Sequence, residues 1–173
     1  MKNLLVIIAI LSLFFSCAKE NKTKDPLYYS NDLENTIGWN DHASLTVGED
    51  AHSGRVFSKT TAEFPYSYGF HRTLKDISEK RVKKAEFSAC VNTSTANSTG
   101  NLVLAIDTAN NNIFWVGTDL KTLNVTPGKW FQVKGKATLP LNISKSADLK
   151  VYFWNTGKDA VLVDDFEITF KDL

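Results

Sequence analysis

Cysteine is scarce in this chain: two among 173 residues, Cys17 and Cys90, beside three histidines, His42, His52 and His71. Cys17 belongs to an N-terminal pattern described below, so Cys90 has no partner for an intramolecular disulfide and stability must come from packing. No two histidines stand at metal-ligand spacing, and there is no Cys-x-x-Cys pair, His-Glu-x-x-His helix, glycine-rich phosphate loop or Gly-x-Ser-x-Gly elbow. The expectation is a protein that is not an enzyme. Two carboxylates that meet only in space still fit a glycosidase pair, which leaves a small polysaccharide lyase or hydrolase as the third reading.

Charge of one sign is also lacking. The formal net charge is +1, and the densest basic stretch, Lys80-Arg81 and Lys83-Lys84, is flanked by Glu79 and Glu86. That pattern suits a solvated strand entrance and argues against a nucleic-acid partner. No apolar run reaches the roughly twenty residues of a membrane-spanning helix. Long helical periodicity and internal repeats are missing as well.

What is present begins with an address. Lys2 precedes the apolar run Leu4 to Phe15, about a dozen residues, the length of a signal h-region. It ends in Phe14-Phe15-Ser16-Cys17, which resembles the looser bacterial lipobox of Bacteroidota lipoproteins. The resemblance implies a signal peptide over 1–16, a Cys17 that carries palmitate-type acyl chains, and a lipid-anchored protein of the cell envelope. Several chains at about 0.8 kcal/mol per buried methylene make such attachment stable. Residues 17–26 are polar and lysine-rich and read as the lipidated N-terminus and a flexible tether. Ala18 stands where an aspartate would imply inner-membrane retention, so the outer membrane is favoured, with the leaflet open.

Residues 27–173 are the size of one domain with one core. Period-two alternation recurs in short segments separated by Gly, Asn, Asp, Ser and Pro, the pattern of an all-β fold. It predicts strands at 27–33, 44–47, 55–59, 67–77, 82–93, 102–107, 113–120, 130–139, 149–155 and 161–170. Ten strands without helical crossovers predict an antiparallel two-sheet β-sandwich. In one of them Ala85, Phe87, Ala89 and Val91 share an apolar face, which puts Cys90 on the other side as a packed, unreactive thiol.

Four pieces occur in the order seen in a known family: Asn31-Asp32-Leu33-Glu34 followed by Gly38-Trp39, Ala51-His52-Ser53-Gly54-Arg55, Gly128-Lys129-Trp130, and Val163-Asp164-Asp165-Phe166. Together they resemble the galactose-binding-like jelly rolls, which include carbohydrate-binding modules. The resemblance implies a jelly roll with Trp39 and Trp130 in packing roles. It also implies a structural Ca²⁺ held by Glu34, Asp164 or Asp165, and carbonyls around Ser53 and Arg55. From the residues themselves two readings of the Asp pair stand. Leu162, Phe166, Ile168 and Phe170 share a parity that puts Asp164 on the apolar side, where a carboxylate needs a partner or a cation; the alternative is a strand end solvated or bonded to amides.

A sugar presents an apolar face that stacks on Trp or Tyr, so a binding sheet needs aromatics outside the core. Trp115, Trp154, Tyr152 and Tyr68 are the candidate ligand-binding residues. Tyr152 and Trp154 lie opposite Val151 and Phe153, and Tyr66, Tyr68 and Phe70 are expected to share one face; either set lines a ligand surface or lies under a loop. The leading expectation is a membrane-anchored, non-catalytic module that binds polysaccharide. The second is an envelope lipoprotein that uses the same sandwich as a scaffold for other proteins.

Overall fold

The computed structural model describes residues 27–36, 39–40, 44–109 and 111–171. Cys17, the 1–16 and 17–26 segments, Gly38 and His42 lie outside the described residues. The elements are β1 (Leu27–Asn31), β2 (Trp39–Asn40), β3 (Leu45–Val47), β4 (Val56–Thr60), β5 (Gly69–Thr73), α1 (Leu74–Ile77), β6 (Lys84–Thr93), β7 (Gly100–Thr108), β8 (Asn111–Asp119), a 3₁₀ turn (Leu120–Thr122), β9 (Trp130–Thr138), β10 (Asp148–Asn155) and β11 (Val161–Lys171). They form two antiparallel sheets. One runs β3-β4-β11-β6-β9, with β1 also paired to β11; the other runs β2-β5-β10-β7-β8.

Alternation puts the core between them. Ala85, Phe87, Ala89 and Val91 of β6, Leu102, Leu104 and Ile106 of β7, and Leu149, Val151 and Phe153 of β10 are all buried in one cluster. Each large apolar side chain so buried contributes about 1.5–3 kcal/mol. The predicted strand over 67–77 stops at Thr73, because Thr73 Oγ1 accepts the Asp76 amide at 3.2 Å and caps a single helical turn whose Ile77 is buried. Trp39–Asn40 adds a two-residue strand that alternation over so short a span does not mark.

The long last strand carries the irregularity that matters for the site. Val161 and Val163 point into the core, and so do Phe166, Ile168 and Phe170, so the inward parity changes between them. A register shift against β6 falls between Asp164 and Glu167, and Asp165 has φ 47°. This is a β-bulge, one extra residue in β11. It corrects the parity assignment of Asp164: that residue pairs in register with Cys90 and shares the outward side with Leu162 and Cys90.

Candidate functional site

The outer face of the five-stranded sheet carries an aromatic platform. In β10 the core residues Leu149, Val151 and Phe153 alternate with Lys150, Tyr152 and Trp154, which face outward. Register sets Tyr152 opposite Val103, Trp154 opposite Asn101, and Trp115 opposite Ala105. Val103 and Ala105 lie on this outer face yet are 0% and 2% exposed, because the platform rings cover them. Tyr66 stacks on Trp154, with centroids 6.4 Å apart and planes 21° from parallel, and meets Tyr152 edge-on at 5.7 Å. Burial pushes the Tyr152 hydroxyl up, and the nearby Trp115 indole acts the other way. Gly117 makes room for that indole, since a Cβ there would lie 2.5 Å from the Trp115 ring. Tyr66 and Trp115 remain 48% and 45% exposed, so the ring faces are open to a ligand.

Polar groups border the rings. Lys150 Nζ lies 2.9 Å from Asp107, Asn112 Nδ2 donates to Asp107 at 2.8 Å, and His71 Nε2 lies 3.3 Å from Asp148. Burial opposes ionisation of Asp107, but its bonds to Lys150 and Asn112 outweigh that and hold its carboxyl below the usual range. A depression of about 310 Å³ joins the two chemistries, bounded by Tyr66, Gly69, His71, Asp107, Lys150 and Tyr152.

Trp115, Trp154 and Tyr152 are thus brought together, and Tyr68 is not. Tyr68 is 0% exposed, stacks on Trp39 inside the sandwich and donates its hydroxyl proton to Thr36 O at 2.6 Å. The expected common face of Tyr66, Tyr68 and Phe70 is broken because the chain is not a regular strand at Ser67. Ser67 Oγ donates to Tyr68 O and accepts the Phe153 amide, which turns Tyr66 outward and Tyr68 inward. Tyr66, expected beside Tyr68 and Phe70, joins the platform without them, and His71, Lys150 and Asp107 are the members the sequence reading missed. Trp39 packs on Phe70 and Phe166, and Trp130 packs on the His52 ring.

The second gathering is on the other sheet, where the loop before β4 crosses the β11 bulge. Asn31 Oδ1 accepts the Leu33 amide at 2.7 Å, and Leu33 has φ 62°. This Asx turn buries Leu33 and throws Glu34 onto the loop. Glu34 Oε1 accepts the amides of Arg55 and Val56, each at 2.6 Å, which holds its carboxyl below the usual range. Gly54 has φ 58°, a conformation that favours glycine, and a Cβ there would displace the Glu34 carboxylate, whose Oε1 would lie 2.3 Å from it. Asp164 Oδ2 accepts the amides of His52 and Ser53 at 2.9 and 3.2 Å, and its Oδ1 accepts the Asp165 amide at 2.8 Å. Burial nevertheless pushes Asp164 up to about 6. Asp165 accepts the Ser53 hydroxyl at 2.6 Å through Oδ1 and meets His52 Nδ1 through Oδ2.

Glu34 and the Asp pair therefore hold the same loop at different points, Glu34 at Arg55 and Val56, Asp164 and Asp165 at His52 and Ser53. Both oxygens of Asp164, Oδ1 of Asp165 and Oε1 of Glu34 accept from protein donors, Asp165 Oδ2 meets His52 Nδ1, and the loop turns amides toward the acids. These hydrogen bonds staple the segment after the first strand, and the last strand, to one loop. Cys90 lies beside this group; burial first, then the carboxylates of Asp165, Asp164 and Glu167, push its thiol up to about 11. That is the reverse of an activated nucleophile.

No family model and no curated protein matches the chain. Solved structures do. The CBM22-2 xylan-binding domain of Paenibacillus barcinonensis Xyn10C aligns with a TM-score of 0.58 at 16% identity, covering 83% of this chain and 99% of that one. The CBM22-1 xylan-binding domain of the same protein aligns with a TM-score of 0.52 at 22% identity, covering 86% and 97%. The CBM22-1 and GH10 modules of Clostridium thermocellum xylanase 10B, complexed with xylohexaose, align with a TM-score of 0.51 at 15% identity, covering 84% of this chain and 26% of that one. The fold of this chain is accordingly a two-sheet antiparallel β-sandwich similar to the jelly rolls of carbohydrate-binding modules.

Proposed function

We propose that the domain binds a polysaccharide on the outer face of its five-stranded sheet and performs no chemistry on it. The observation that carries this reading is the platform itself: four aromatic side chains from two strands and the Tyr66 bridge, with Tyr66 and Trp115 exposed and charged or amide groups along one border. Rings of this kind stack on the apolar face of a sugar, while Lys150, Asp107 and His71 fix its hydroxyls. The xylan-binding neighbours make β-linked xylan the first polysaccharide to test. Trp154→Ala is expected to weaken binding about ten- to a hundredfold, the range for an aromatic anchor. Val47→Thr, on the edge of the opposite sheet, is expected to leave it unchanged. Affinity electrophoresis against xylan, β-glucan, laminarin and host glycans measures both; retention on none of them defeats the reading and favours the scaffold alternative.

The same proposal places the domain at the envelope through an acylated Cys17, with the outer membrane as its membrane. Cys17→Ala should abolish incorporation of labelled palmitate and move the protein from the detergent phase to the aqueous phase. A variant that still partitions with detergent rules the anchor out.

A further inference from the structure

The loop and the bulge also bring Cys90 of β6 close to His52 and Asp165. We propose that His52 Nδ1, Cys90 Sγ and the Asp165 carboxylate form a site for a divalent transition-metal ion, on the sheet opposite the glycan platform. Their ligand atoms lie within 4.8 Å of one another. Zinc bonds of about 2.0–2.3 Å to N, O and S put tetrahedral ligands about 3.3–3.7 Å apart, so the group closes on an ion with side-chain adjustments alone. A thiolate and an imidazole select a transition metal over calcium.

The three ligands come from separate parts of the chain, each held in place. His52 sits on the loop pinned to Asp164 by its own amide, and its ring packs edge-on against Trp130 at 5.4 Å. Cys90 lies on β6, paired on one side with β11 and on the other with β9. Asp165 stands at the bulge, which turns its side chain toward His52, and the Ser53 hydroxyl holds its other oxygen. That hydroxyl is the outer hydrogen bond that ligating carboxylates usually have. The side of the group away from the loop opens into a cleft of about 590 Å³, bordered by Tyr28, Asn31, Gln132 and Glu167. Three protein ligands with a fourth position facing a cleft describe an open site in which water or a ligand completes the sphere. On binding, the ion replaces the Cys90 thiol proton, which leaves to solvent, and takes the Nδ1 lone pair of the imidazole, whose one ring proton then sits on Nε2, any proton on Nδ1 leaving to solvent.

Cobalt(II) added to the reduced, purified full chain tests this directly, because a thiolate ligand gives a charge-transfer band. The expected result is one cobalt per chain, a band that survives Cys17→Ala and vanishes in Cys90→Ser, and displacement of cobalt by zinc but not by millimolar calcium. His52→Ala and Asp165→Asn should each weaken cobalt at least tenfold. Thermal unfolding of each apo variant checks that it is folded, and zinc should raise the midpoint of the wild-type chain but not of Cys90→Ser. No band in the wild-type chain, a band that persists in Cys90→Ser or disappears with Cys17→Ala, or displacement of cobalt by calcium overturns the assignment. Glycan binding by the metal-free protein is independent of every one of these outcomes.

Discussion

Phe153→Ala will cost the domain about 3–5 kcal/mol of folding stability, the range for removing a buried aromatic ring. Phe153 is 0% exposed and sits midway along β10, hydrogen-bonded on both sides. Its ring lies so close over Gly100 that a Cβ there would come within 2.5 Å of it, so backbone walls the space the ring fills. Backbone in a paired strand cannot collapse into the vacancy, which puts the loss at the upper end for its chemistry. Against a typical total of about 5–15 kcal/mol, that loss takes a large share of what holds the sandwich together. Urea denaturation gives the number, and Phe153→Leu should cost far less. Glycan affinity of the fraction that remains folded should hold within a few-fold, because Tyr152 and Trp154 point the other way from the same strand. A loss under 1 kcal/mol contradicts the packing described.

The features that alternation reports directly were legible before the fold was. Val151 and Phe153 separate from Tyr152 and Trp154 in the sequence, and they do so in the sandwich, because a paired strand obeys period two. The His-Ser-Gly turn was legible only through the family resemblance, and the structure supplies its physical reason: Gly54 has a positive φ, and a Cβ there would meet the Glu34 carboxylate. What alternation misplaces lies where the chain leaves period two. Tyr66 and Tyr68 fall on opposite sides of the sheet because the Ser67 hydroxyl takes over hydrogen bonds that a regular strand would make. Asp164 changes sides because the bulge inserts one residue into β11. His52, Cys90 and Asp165 meet only through pairing between distant strands, so ligand spacing along the chain gave no sign of them.

Asp164 carries the second large effect, and its bulge position explains why. Three backbone amides, of His52, Ser53 and Asp165, end on its two oxygens, in a place with no solvent exposure. Asp164→Ala removes the acceptor from all three. A buried donor left unpaired costs about 1–3 kcal/mol, so the sum points to a loss well above that of an ordinary surface change. Two effects act against it: the variant no longer buries a carboxylate, the group that burial pushes up to about 6, and the loop can lift to let water reach the amides. With those offsets the expected net loss is about 2–4 kcal/mol, read from the denaturation midpoint. Asp164→Asn keeps one acceptor oxygen and sheds the charge, and should lose about half as much or less. Hydrogen exchange separates this from general weakening: in Asp164→Ala the amides of His52 and Ser53 should exchange far faster while those of the β6 and β10 core keep their protection. If those two amides stay as protected as in the wild-type chain, something other than the Asp164 carboxylate holds the loop on the bulge.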